Sequence, residues 1–171
     1  MSTSSVKRRL FSSHIKTRYF LTIQYYGPAF CGWKDIHIPD SIKKANVRNN
    51  NEISPSIYTT LYNAANSFIG YQKGYNWIDH LKISSRTDVK VHALRNVIQI
   101  DVVKTVPKNK ENNALLPYSN KNVLNGINYH LNKAYFKNKP FNIYSHACNP
   151  IQVCEVSMVE ATHIPNTNTI N

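Results

Sequence analysis

The stretch Thr17-Arg18-Tyr19-Phe20-Leu21-Thr22-Ile23-Gln24-Tyr25-Tyr26 decides the fold. It is rich in aromatic and β-branched residues, and Tyr19, Leu21, Ile23 and Tyr25 share one face at the two-residue period of a strand. Gly27-Pro28 ends the run. Further along, Ser54-Pro55 reads as a helix start, a cap residue followed by proline at the first helical position. Ile57, Leu61, Ala64, Ala65 and Phe68 then repeat at helical spacing as a core stripe, until Gly70 stops them. Trp77–Ser85 reads as a second strand. Arg95–Lys104 reads as a third, with Ile98, Ile100 and Val102 facing one way. Asn120 can cap a second helix that carries Val123, Leu124, Ile127 and Leu131. Ile151–Ala161 is the last strand, with Cys154, Val156 and Met158 on one face and Val153 and Val159 on the other. The polar stretches 36–53 and 105–120 read as loops.

The order β-α-β-β-α-β predicts an α+β, ferredoxin-like domain: a four-stranded antiparallel sheet with two helices on one face. The same order occurs in RNA-recognition modules, whose open sheet face stacks bases, and in many unrelated proteins. The fold therefore leaves the function to be argued from a site.

Composition narrows the classes. The chain has 171 residues, which fits one domain, and is 42% hydrophobic, enough for a core. Its formal charge is +12, from 21 Lys and Arg against 9 Asp and Glu. Such an excess points to a polyanionic partner, nucleic acid being the commonest; a Lys- and Asn-rich surface that only keeps the chain dissolved explains it too. Cys31, Cys148 and Cys154 form no CxxC pair, and the seven histidines include no HxxxH or HExxH spacing. Neither a disulfide framework nor a metal site is expected. No apolar run approaches the roughly 20 residues of a membrane span, so no membrane partner is expected. Lys7, Arg8, Arg9, Lys16 and Arg18 precede the first acid, Asp35, among several serines. That pattern resembles an organelle transit peptide, and a basic arm that touches RNA explains it equally. Mitochondrial and cytoplasmic locations both stay open.

Reactive groups can be sought by elimination among the acids. Asp40, Glu52 and Glu111 lie in the polar loops, and Asp101, Glu155 and Glu160 sit on strands where a solvated face explains them. Asp35 and Asp79 are weak candidates. Asp88 stands apart, within Ser84-Ser85-Arg86-Thr87-Asp88-Val89-Lys90-Val91-His92-Ala93-Leu94, which joins two neighbouring strands. A nearby cation favours an ionised carboxylate, which can act as nucleophile or base. A polar turn with a local Arg–Asp pair explains the same residues.

Arg86-Thr87-Asp88 followed by Val91-His92-Ala93 resembles the signature R-T-D-A-G-V-H-A of the TruA family of tRNA pseudouridine synthases. Tyr25-Tyr26-Gly27, Phe30 and Gly32-Trp33 resemble that family's Y-D-G-x-x-F-x-G-W motif. Ser56–Phe68 matches the helix after it, and Leu124-Asn125-Gly126-Ile127-Asn128 with Leu131 resembles its L-N-x-x-L helix. Ser84-Ser85 and Asn96 look most like the pseudouridine synthase-like branch. Val89-Lys90 departs from Ala-Gly, and Tyr26 from the aspartate of Y-D-G.

The resemblance covers residues 17–165 and implies the N-terminal half of such an enzyme, with residues 1–16 as a basic arm or targeting segment and 166–171 as a truncated tail. The family's second half, the other wall of its cleft, is not in this chain. The resemblance implies a tRNA partner, no cofactor and no metal, and Asp88 as the catalytic residue that turns uridine into pseudouridine. Arg86, Thr87, Lys90, His92, Arg95, Tyr25 and Trp33 are then expected to bind substrate: Arg86 holding Asp88 or filling space, Tyr25 and Trp33 stacking or packing in the core, Lys90 and Arg95 touching phosphates. A truncated or degenerate member that binds RNA without modifying it is the alternative, and a homodimer stays open.

Overall fold

A computed structural model describes residues 11–33, 55–71, 76–107, 116–137 and 149–165. The elements are β1 (Phe11–Tyr25), a 3-10 turn (Gly27–Ala29), α1 (Ile57–Ile69), β2 (Asn76–Ile83), β3 (Ala93–Pro107), α2 (Asn120–Lys137) and β4 (Ile151–Pro165). All strand pairs are antiparallel, in the order β2-β3-β1-β4. The chain is thus α+β, with a four-stranded antiparallel sheet and two helices, compatible with a ferredoxin-like fold. Phe11–Lys16, assigned from sequence to the arm, belong to β1; Phe11 pairs with β3, and the stretch from Ser13 to Lys16 pairs with both β3 and β4. Residues 1–10, the loop 36–53, the stretch 108–115, Ser54 and the tail 166–171 lie outside the described residues.

The predicted stripe of β1 is the centre of the core. Tyr19, Leu21 and Ile23 are fully buried and Tyr25 nearly so. They pack with Ile98, Ile100 and Val102 of β3 and with Ile151 and Val153 of β4. The helices cover this face through Ile57, Leu61, Ala64, Ala65 and Ile69 of α1 and Val123, Ile127 and Leu131 of α2. Each fully buried aliphatic side chain contributes about 1.5–3 kcal/mol. The helices approach closely at Gly126, where an added Cβ would overlap the Phe68 ring.

The helix caps differ from the sequence reading. Ser56, not Ser54, caps α1: its side chain accepts from Thr59 N at 3.0 Å. Gly70 ends α1 as expected, at φ 62°. Ser119 caps α2 by accepting from Asn122 N at 3.2 Å. Asn120 reaches instead to edge strand β4, where its Oδ1 accepts from Met158 N at 3.0 Å. Asn128 donates to Val153 O at 2.8 Å and accepts from Val153 N at 2.9 Å. Two α2 amides thus take backbone groups of β4 that another strand would otherwise pair.

The faces of β4 also need correction. Its register on β1 shifts twice, between Thr22 and Ile23 and between Arg18 and Tyr19. The first shift leaves Cys154 exposed and turns Val156 toward the core that Val153 already faces.

Asp101 is a further correction. It lies on the face away from the helices yet is 1% exposed. Arg18 Nε and Nη2 donate to its two oxygens, each at 2.8 Å, and Gln99 Nε2 donates at 3.2 Å. Lys16 Nζ lies 3.7 Å away. The Arg18 hydrogen bonds hold its carboxyl below the ordinary value of 3.8, burial opposing them. A lowered native value means the stabilisation is present above 3.8 and lost as pH falls below it. Asp101→Asn is expected to cost about 2 kcal/mol in urea denaturation at pH 7, less than a wholly buried pair because Arg18 is partly exposed. The gap between wild type and variant closes on acidification below 3.8, whereas a gap independent of pH refutes the assignment.

Candidate functional site

The link between β2 and β3 runs from Ser84 to His92. Ser84 N donates to Val97 O at 2.9 Å and closes the hairpin, and Val91 N donates to Asp88 O at 3.2 Å and closes a turn around Val89 and Lys90. Lys90 has φ 68°, the one positive φ of a non-glycine among the described residues. A side chain in that region costs about 1–2 kcal/mol, so the glycine of the resembled motif suits this backbone and lysine strains it.

A brace of buried polar groups holds the loop. Asn96 is 6% exposed. Its Nδ2 donates to Ser85 O at 2.9 Å and to the Tyr25 hydroxyl at 3.3 Å, and its Oδ1 accepts from Ser84 Oγ at 3.2 Å. The Tyr25 hydroxyl shares a 2.6 Å hydrogen bond with Thr87 Oγ1. Beneath, a Cβ on Gly27 would overlap the carbonyls of Lys90 and Val91, so the loop lies directly on the chain leaving β1.

This arrangement exposes Asp88, Arg86, Lys90 and His92 together on one loop, with Thr87 half-buried beneath them. Arg86 and Asp88 form no ion pair with each other or with any other described side chain, so the expected guanidinium–carboxylate pair is not made. Arg95 turns to the sheet face opposite the helices, where its Nη2 lies 2.7 Å from Glu155 Oε2. Tyr25 and Trp33 are core residues, 4% and 5% exposed. Tyr25 packs edge-on to Phe30, with centroids 6.4 Å apart, and Trp33 edge-on to Tyr58, at 5.7 Å. Both rings are enclosed by the core and offer no face for a base to stack on.

Asn96 is the site residue the sequence reading left without a role. The signal was available: it is a polar residue in the core-facing row that continues through Ile98, Ile100 and Val102. Tyr26, 42% exposed, is another; its ring stands at 66° to that of His92, with centroids 4.8 Å apart. Together they border a groove of about 270 Å³. A larger hollow of about 680 Å³, lined by Thr60, Ala64, Ser67, His130 and Leu131 among others, opens between the helices. Asp88 lines neither. Among the described residues no three His, Cys, Asp or Glu side chains gather as a metal site, and no helix is long and apolar enough to cross a membrane.

No protein-family model matches the chain, and no curated protein matches it at significance.

The strain at Lys90 is measurable. Lys90→Gly is expected to raise stability by about 0.5–1 kcal/mol, the relief of the left-handed side chain less the added freedom of the unfolded chain. Lys90→Ala keeps the strain and is expected to gain little. Equal effects of the two substitutions in urea denaturation would contradict the backbone assignment.

Proposed function

We propose that this chain is the N-terminal half of a TruA-type tRNA pseudouridine synthase, with Asp88 as the catalytic carboxylate. The observation that carries the reading is the turn Asp88–Val91. The resembled signature R-T-D-A-G-V-H-A has its glycine where this chain has Lys90, and the backbone there is left-handed, at φ 68°. The resembled motif thus has its glycine at the position where this backbone favours one and lysine is strained. Support also comes from the brace through Asn96, Tyr25 and Thr87, which fixes the loop while leaving Asp88 exposed.

A uridine must leave its stack to meet such a carboxylate. Asp88 then attacks ribose C1′ or uracil C6, or removes a proton. The N1–C1′ bond breaks, the uracil turns, a C5–C1′ bond forms, C5 loses its proton and N1 regains one. The isomerisation is balanced and needs no redox partner. Arg86 and Lys90, both exposed and without an ion-pair partner among the described residues, supply positive charge for the phosphates beside the target.

A second reading is an RNA-binding member that does not modify its RNA. Lysine in place of the motif's glycine and the unmade Arg86–Asp88 pair favour it. Pseudouridine mapping separates the two. Transfer RNA from cells lacking the gene is expected to lose pseudouridine at one or more sites, wild-type protein to restore it, and Asp88→Asn to bind tRNA without restoring it. Restoration by the asparagine variant refutes the role of Asp88, and an unchanged map in the deletion strain leaves the binding reading.

A further inference from the structure

Next to the Asp88 turn, Tyr26 N donates to Pro150 O at 2.8 Å and draws the segment ahead of β4 against the end of β1. The groove of about 270 Å³ opens there, and its lining includes Gln24, Tyr26, His92, Leu94, Pro150 and Gln152. Its walls differ in chemistry. One carries the rings of Tyr26 and His92 together with Leu94, which is 81% exposed. The other carries two carboxamides, Gln24 Nε2 donating to Gln152 Oε1 at 3.0 Å. Each carboxamide has an acceptor oxygen and a donor nitrogen. After their mutual bond the pair still presents one oxygen, Gln24 Oε1, and one nitrogen, Gln152 Nε2, without a partner among the described residues. Exchanging the oxygen and nitrogen of both amides leaves the same complement. No lysine or arginine lines the groove.

An anion finds no counter-charge in this lining, and an apolar ligand leaves the two amides unmatched. A nucleobase suits both walls, because it has a π-face for the rings and an edge with donor and acceptor adjacent. We propose that the groove holds one unpaired base of an RNA strand whose phosphates lie along the Arg86–Lys90 turn. That this base neighbours the nucleotide presented to Asp88 rests on the function proposed above; that the groove binds a base does not.

The test measures binding of an unmodified tRNA transcript to the full protein by fluorescence anisotropy across a range of salt. Loss of one stacking ring weakens binding about 5- to 100-fold, so Tyr26→Ala is expected within that range while Tyr26→Phe stays within about twofold of wild type. Because no phosphate contact is lost, the slope of log Kd against log salt is expected to stay unchanged for Tyr26→Ala. Gln24→Ala with Gln152→Ala, both on exposed side chains, weakens binding about 3- to 10-fold by the same criterion, at an unchanged melting temperature. Binding by Tyr26→Ala within about twofold of wild type, a flattened salt slope, or no tRNA binding by wild type overturns the proposal. The two readings fail separately. Pseudouridine formation with Tyr26-independent binding sinks the groove alone, and Tyr26-dependent binding without pseudouridine sinks the role of Asp88 alone.

Discussion

The site depends on a contact that only glycine permits. A Cβ on Gly27 would overlap the carbonyls of Lys90 and Val91, so the β2–β3 loop is seated directly on the backbone leaving β1. The core row of β1 sets where Gly27 lies, because Tyr19, Leu21, Ile23 and Tyr25 anchor the strand beneath both helices. The row ends in Tyr25, whose ring is buried and whose hydroxyl meets Thr87 and Asn96. Core, strand end and loop are therefore mechanically one piece. Asp88 sits on the loop's outer side, held by a scaffold that its own side chain does not help to build.

The distribution of charge follows from the same frame. Four of the described carboxylates, Asp79, Asp101, Glu155 and Glu160, lie within 4 Å of a cation from β1 or β3. This sheet face largely neutralises itself, despite the +12 of the whole chain. Arg86, Lys90, Lys121 and Lys133 have no ion pair among the described residues, and they lie on the hairpin loop and on α2. Lys82 on β2 and Lys104 on β3 also have no ion pair among the described residues, so unneutralised charge lies on the strands as well as on the loop beside Asp88. The exposed Phe20 in mid-sheet, 41% accessible, is flanked by ion pairs, unlike the cation-rich stacking surface of many RNA-binding sheets.

Element order and core were legible because they rest on period. The alternation from Tyr19 to Tyr25, the row Ile98–Val102 and the helical repeat from Ile57 to Ala65 are direct consequences of pleat and helix geometry. What failed was local accident. Two bulges carried β4 off strict alternation, so Cys154 and Val156 do not share a face. Ser56 won the cap over Ser54, and Asn120 was drawn to β4 because an edge strand offers unpaired N–H groups. Asp101 looked solvated because alternation marks which side of the sheet a residue occupies but not which cations cross over it. In the loop, the exposure of Asp88 and the burial of Asn96 were implicit in pattern. The left-handed angle at Lys90 has no signal in lysine itself, and only the glycine of the resembled motif at that position points to it.

Lys90 finally bears on what the loop is for. The turn holds the one positive φ of a non-glycine among the described residues, next to an exposed carboxylate that its neighbouring guanidinium does not neutralise. The left-handed angle works against the folded state, and the brace through Asn96 together with the Gly27 contact offsets it; the exposed carboxylate stays solvated and costs little. Glycine at position 90 would relieve that angle in a single change. Outside this loop most local preferences are met: caps are filled, edge groups of β4 are partly covered and the sheet-face acids are paired, although Asn66 Oδ1 on α1 is buried without a hydrogen-bond partner among the described residues. A strained turn that is braced from beneath and faces solvent is the feature on which the proposed RNA-contacting role rests. The positive charge of Arg86 and Lys90 there is what the proposed contact with RNA phosphates would draw on.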